Sequence, residues 1–253
     1  SIAGRMRSFE LKSENTKGGV AMLKGIKEMV GYAIRATDGE IGQVHDLYFD
    51  DQVWTIRYLV VDTGNWLSGR RVLLSTACLG QPEGEQHAFP VALTRHQVEH
   101  SPHVHTDRPV SRQKEEELAR YYGWTPYWGM SDTLLGAGGA IAWVPLNVQT
   151  AQDSDEPQGD PHLRSAREVM GYHIQAVEGL VGHVDDFVVS SETWAIRYII
   201  ADTGGWLPGK KVQFAPQWVS KVNWAERQVH VALAQDTVKH CPEFDPITLA
   251  NQE

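Results

Sequence analysis

The chain has 253 residues, 42% of them hydrophobic, with 23 Lys plus Arg against 32 Asp plus Glu and a formal net charge of −9. This length accommodates two ordinary domains. The acidic balance argues against non-specific nucleic-acid binding, which needs phosphate neutralisation, and against anionic membrane surfaces.

Residues 1–19 lack an apolar core and are expected to be a disordered tail without a signal peptide. Tyr32–Ala36 then reads as a strand, and Asp38-Gly39 as a hairpin turn. Ile41–Phe49 reads as a second strand, in which Gly42 marks a bulge or a close backbone approach. The third strand, Trp54–Val61 (WTIRYLVV), is aromatic and β-branched throughout. Simple alternation puts Trp54, Ile56, Tyr58 and Val60 on one face, and Thr55, Arg57, Leu59 and Val61 on the other. DTGNWLSG follows as a loop, Arg71–Ser75 as a fourth strand, and Arg95–His100 as a short helix stopped by Pro102.

SRQKEEELARYYG predicts an amphipathic helix with Ser111 as N-cap, Gly123 past its end, and a stripe of Leu118, Tyr121 and Tyr122. Trp124–Trp128 (WTPYW) is expected to cover a core edge, with a contact surface as the alternative. A Gly-rich stretch and then an acidic one fill residues 129–162, which read as a linker. No apolar run is long enough for a membrane span.

The chain then repeats itself. GYAIRATDGEIGQVHDLYFDDQVWTIRYLVVDTGNWLSGRRV begins at Gly31, and GYHIQAVEGLVGHVDDFVVSSETWAIRYIIADTGGWLPGKKV begins at Gly171. The register holds without a gap through VALTRHQVEHSP and VALAQDTVKHCP. Two copies are too few for a solenoid, so each is expected to fold on a core of its own. The second copy adds a hairpin, Val219–Asn223 and Gln228–Leu233 around Ala225-Glu226. The fold class expected is mainly β: two small antiparallel barrels in tandem with short helices. The first would span residues 20–128 with its C-terminal helix, and the second residues 163–253, led in by LRSAREVM.

Candidate chemistry is sparse. His96 and His100 have ligand-like spacing, but the second copy has Asp236 and His240 there, so the pair reads as a solvated helix end. Cys78 and Cys241 form no metal or redox motif, and free thiols fit a reducing compartment. The DTG triplets at Asp62 and Asp202 are similar to an aspartic-protease signature. Asn65-Trp66 and Gly205-Trp206 follow instead of Ser or Thr, which points to turn-forming carboxylates. Arg57 and Arg197 lie mid-strand and are expected in structural ion pairs, with Asp46 or Asp62 and with Asp186 or Asp202. The alternative is an anchor for a partner's carboxylate or phosphate. Trp66, Leu67, Arg70 and Arg71, with Trp206, Leu207, Lys210 and Lys211, combine apolar and basic residues on loops. They fit a protein-binding hot spot and equally a loop folded back over a barrel mouth. No phosphate loop, nucleophile elbow or Cys-x-x-Cys is present, so no catalytic residue, metal or cofactor is expected.

The spacing GxxIxAxxGxxGxVxD followed by WxIRYxxxDTGxWLxGxxV, present twice, together with SRQKEEELARYYGWTPYW, resembles the PRC-barrel family. Relatives in that family include the cytoplasmic domain of the photosynthetic reaction-centre H subunit and the C-terminal domain of a ribosome-maturation factor. The resemblance implies a small β-barrel that docks onto proteins and has no catalytic residues. The expectation is a cytoplasmic, non-catalytic scaffold with protein partners, whose copies pair within or between chains because small curled sheets leave edges to cover. The alternative is an RNA-processing or ribosome-associated factor.

Overall fold

The computed structural model describes residues 22–83, 86–102, 110, 112–127, 163–204 and 210–245. The N-terminal tail, the linker, Ser111, Trp128, Trp206 and Leu207 lie outside these residues. The first repeat runs β1 (Leu23–Gly25), α1 (Ile26–Met29), β2 (Ala33–Ala36), β3 (Gly39–Asp50), β4 (Thr55–Asp62), β5 (Arg71–Ser75), β6 (Ala88–Pro90) and α2 (Arg95–Glu99), followed by α3 (Arg112–Tyr122). The second runs β7 (Leu163–Ser165), α4 (Ala166–Val169), β8 (His173–Gln175), β9 (Leu180–Ser190), β10 (Ile196–Asp202), β11 (Lys211–Phe214), β12 (Val219–Asn223), β13 (Gln228–Val231) and α5 (Gln235–Lys239). The fold is mainly β; β2 to β5, β12 and β13 fall close to the expected strands, whereas the short strands β1, β6 and β7 were not expected.

These strands form two sheets. The first has the order β5-β4-β3-β2-β6, with β7 added to β3; the second has β11-β10-β9-β8-β13-β12, with β1 added to β9. Among the described residues neither path closes into a barrel. Nor is the pairing wholly antiparallel, because β2 with β6 and β8 with β13 are parallel. Each of these pairs joins strands separated by a long excursion, and such a connection can deliver the returning strand in either direction.

The expectation of one private core per repeat is overturned. The lead-in strands are exchanged: Leu23–Gly25 pairs with Val188–Ser190, and Leu163–Ser165 pairs with Tyr48–Asp50. At the centre Ile56 N donates to Trp194 O and Ile196 N to Trp54 O, both at 2.8 Å. Trp54 and Trp194 adopt positive φ values of 52° and 60°, which turn each chain at the point where it meets its counterpart. One continuous core therefore includes Ile26, Phe49, Ile56 and Phe89 of the first repeat with Tyr172, Phe187, Trp194 and Phe214 of the second. The Phe49 and Phe187 rings lie 5.7 Å apart, as do Phe89 and Trp194. A lone repeat of about 70 residues buries too small a fraction of its surface to be robust, and joining two cores improves that ratio.

Simple alternation also fails along β4. Tyr48 opposes Tyr58 while Phe49 opposes Ile56, so Arg57 is an extra residue, a β-bulge. The bulge sends Ile56 to the same side as Leu59 and Val61, in the shared core. Tyr58 and Val60 face outward into a second cluster with Tyr48, Leu73, Val110, Leu118 and Leu163. Arg197 is the corresponding bulge in β10, between Ile196 opposite Val189 and Tyr198 opposite Val188.

Helix α3 covers that outer cluster. Leu118 is buried and Tyr122 packs against both clusters, while the Tyr121 hydroxyl reaches outward to Gln97 O at 2.8 Å. Trp124 and Tyr127 extend the cover, with Trp124 stacked on Tyr122 at 4.3 Å, as the core-edge reading of WTPYW expects. Helix α2 starts with a capping box between Thr94 and Gln97 and is tied to the β2–β3 turn, where Asp38 accepts from Arg95 N at 2.7 Å. Glu178 accepts from Gln235 N at 2.7 Å at the same place in the second repeat.

Candidate functional site

The two DTG loops are built alike. Asp62 Oδ1 accepts from Gly64 N at 2.8 Å, and Asp202 Oδ1 from Gly204 N at 2.8 Å, so both carboxylates hold turns, as their position in a DTG triplet predicts. Beside them the buried Thr63 and Thr203 hydroxyls donate to Arg70 O and Lys210 O, closing each loop at its base. Trp66 sits in a 3-10 turn, Gly64–Leu67, half-buried against the shared core, with the Arg95 guanidinium 4.5 Å over its ring. Leu67 is half-buried beside it.

The basic residues after the loops divide into two kinds. Arg70 donates to the carbonyls of Glu99 at 3.0 Å, Pro102 at 3.3 Å and Ser101, so it satisfies the open C-terminal end of α2. Lys210 does the same for α5 through Lys239 O at 3.1 Å. Arg71 and Lys211 are the first residues of β5 and β11, and Lys211 pairs with Asp185 at 2.8 Å.

The expected partner of Arg57 is corrected. The bulge turns its side chain to the outer face, where it pairs with Asp50 at 3.5 Å and lies 4.0 Å over the Tyr127 ring. The same bulge leaves Arg197 exposed, and among the described residues it forms no ion pair. His96 and His100 stack at 4.2 Å on the exposed end of α2, and among the described residues no His, Cys, Asp or Glu side chains gather as a metal site. Cys78 and Cys241 are buried free thiols, Cys78 pushed up to about 12 by burial.

The role of Asp46 and Asp186 was not visible in the sequence, which offered them only as ion-pair partners. Both are 7% exposed. Asp46 Oδ1 accepts from its neighbour Leu47 N at 2.7 Å and, across the seam, from Arg167 N at 3.2 Å, while Ser165 Oγ donates to Oδ2. Asp186 Oδ1 accepts from Phe187 N at 2.8 Å and from Lys27 N at 3.2 Å. Each carboxylate therefore holds the start of the short helix belonging to the opposite repeat. The two differ at one position, where Gly25 stands in place of Ser165 and offers Asp186 no hydroxyl. A Cβ at Gly25 would meet Asp186 Oδ2 at 2.7 Å.

Burial pushes the Asp186 carboxyl up to about 6, against the pull of the Phe187 and Lys27 N–H groups. Burial also raises Asp46, against the Ser165 hydroxyl and the Arg167 and Leu47 N–H groups. A carboxyl raised on folding favours the folded state when protonated, so its contribution is greatest below about pH 4 and is lost as the pH climbs through about 6. An Asn at 186 keeps an acceptor for both N–H groups and carries no charge. Asp186→Asn is expected to be more stable than the parent at pH 7.5 by up to about 3 kcal/mol. The gain should vanish near pH 4 in paired urea titrations, and a gain that persists there would contradict this account.

A family model described as PRC-barrel domain matches residues 23–87. That span starts at β1, the exchanged strand, and runs to His87 just before β6. No curated protein matches the chain. Among the described residues no helix is long and apolar enough to cross a membrane.

Proposed function

From the match of residues 23–87 to the PRC-barrel domain model, we propose that the chain is a non-catalytic scaffold of two PRC-type units that binds protein partners in the cytoplasm. The second unit rests on the gapless repeat of the motif from Gly171 onward. The observation that carries the reading is where the buried carboxylates lie. Asp46 and Asp186 are committed to backbone N–H groups across the seam rather than converging on a cleft where a reacting group could sit. The net charge of −9 favours protein over RNA as partner.

Trp66 and Trp206 are the anchors assigned to the partner. Trp66→Ala combined with Trp206→Ala is expected to reduce partner capture from the native cell by at least about tenfold, the scale of a lost aromatic anchor. Near-ultraviolet dichroism of the variant's remaining aromatic residues checks that the core against which Trp66 packs has not collapsed. Undiminished capture by a folded double variant removes the loops from the interface. Salt-sensitive co-sedimentation with ribosomal particles would favour the RNA-processing or ribosome-associated alternative instead.

A further inference from the structure

Each sheet has a face turned away from the shared core. On the first sheet it holds Tyr48, Tyr58, Val60 and Leu73, packed with Leu163 and covered by Leu118, Trp124 and Tyr127. The repeat puts Val188, Tyr198, Ile200, Gln213 and Leu23 at the same positions of the second sheet. Phe187, Val189, Ile199 and Ala201 point into the shared core, so alternation sends Val188 and Ile200 to the outer face. Both are 0% exposed. Yet among the described residues neither belongs to the shared core or to the first sheet's outer cluster, and no helix follows α5 as α3 follows α2. Side chains on an open sheet face keep contact with water, so this burial points to a cover from outside the described residues.

Residues 128–162 leave the first outer cluster at Tyr127 and return to it at Leu163. Ile141–Leu146 (IAWVPL) lies near the middle of that excursion and carries no charge, between a glycine-rich stretch and an acidic one. At roughly 3.3 Å per extended residue either arm reaches about 45 Å, the breadth of a compact chain of this size. The run also repeats a pattern found on the first face. In Trp124-Thr125-Pro126-Tyr127 two aromatics flank a proline, which holds the residue before it extended, and both pack on the outer cluster. Trp143-Val144-Pro145-Leu146 has the same spacing. The second face differs in a way that suits it: Val188 stands where the first has Tyr48, which removes a ring from the floor and leaves room for an indole. Arg57 lies 4.0 Å over the Tyr127 ring, whereas its counterpart Arg197 is exposed and among the described residues has no aromatic partner.

We propose that Ile141–Leu146 docks on the outer face of the second sheet and seats Trp143 over Val188 and Ile200, as Trp124 and Tyr127 cover the first. Part of the stretch expected as a linker then completes a second outer cluster, and this does not depend on the scaffold reading.

The test uses the full chain. Trp143→Ser combined with Leu146→Ser is expected to lower the thermal midpoint by about 5 °C or more, the scale of a lost buried aromatic in a protein of this size. A free linker would leave the midpoint where it was. Val188→Cys, close in volume to the parent residue, then locates the contact through its rate of maleimide labelling. The new thiol should react slowly by itself and at least about tenfold faster once the two serines are added. The buried Cys78 and Cys241 should stay unlabelled in both chains, which checks that the fold has survived. A midpoint that the serines do not move, rapid labelling of Val188→Cys alone, or labelling indifferent to the serines overturns the proposal. Protection that fades on dilution assigns the cover to a second copy of the chain and overturns it as well.

Discussion

An alanine at position 42, or at its counterpart 182, is expected to destabilise the protein by more than about 3 kcal/mol, among the largest effects a single methyl group can have. The carbon would sit 2.1 Å from the carbonyl oxygen of Asp62 or Asp202, and 2.9 Å from Cα of Thr63 or Thr203. Those atoms cannot step aside. The Asp62 carboxylate holds Gly64 N, and Thr63 is bound to Arg70 O through both its N–H and its hydroxyl. Gly182 adds a φ of +142°, a region L side chains avoid. Gly31→Ala is the control: φ is +92° there, but nothing lies within 4 Å of the added carbon. It should cost only about 1–2 kcal/mol, from backbone strain. Urea midpoints of the three variants rank these effects, and a Gly42 variant no weaker than the Gly31 variant would show that the strands can separate.

The second expected result concerns the halves. Residues 20–128 expressed without the remainder should not persist as a stable monomer. Separation strips β3 of the Leu163–Ser165 strand and takes the Ser165 and Arg167 donors from Asp46, leaving a buried carboxylate held by one neighbouring N–H. It also exposes Phe49, Trp54 and Phe89, which pack on Phe187 and Trp194. Truncating one such buried aromatic costs about 3–5 kcal/mol, comparable with the whole stability of a small domain. The first half carries its own β1 and α1, which in the intact chain serve the second repeat. Two copies can therefore satisfy each other by exchanging them, and sedimentation should find a homodimer or aggregate. Adding residues 163–253 should convert it to a one-to-one complex. A monomeric first half that unfolds as cooperatively as the full chain would refute the exchanged arrangement as a source of stability.

The two results draw on information of different reach. Gly42 was legible because a glycine inside the strand Ile41–Phe49 has few other uses, and its matched position at Gly182 reinforced the point. The DTG turns were legible because Asp bonding to the N–H two residues ahead is a contact within the triplet itself. The Arg57 bulge was not, since one extra residue in a strand shows only against its partner's register. That bulge reverses the face expected for Ile56 and gives Arg57 a different carboxylate.

What the sequence determined was therefore local and repeated: strand periodicity, turn chemistry, the short α2 helix, the α3 stripe, and the equivalence of two copies that made internal pairing feasible. The tertiary structure decided which edge each lead-in strand joins. LRSAREVM has the same strand and helix propensity whichever sheet receives it, so nothing within those residues distinguishes its own repeat from the other. That choice is made by the combined core, by Asp46 and Asp186 reaching helices in the opposite half, and by Trp54 and Trp194 meeting at the centre. From the same choice follows the pH dependence at Asp186, whose buried carboxyl accepts from the exchanged helix of the other repeat.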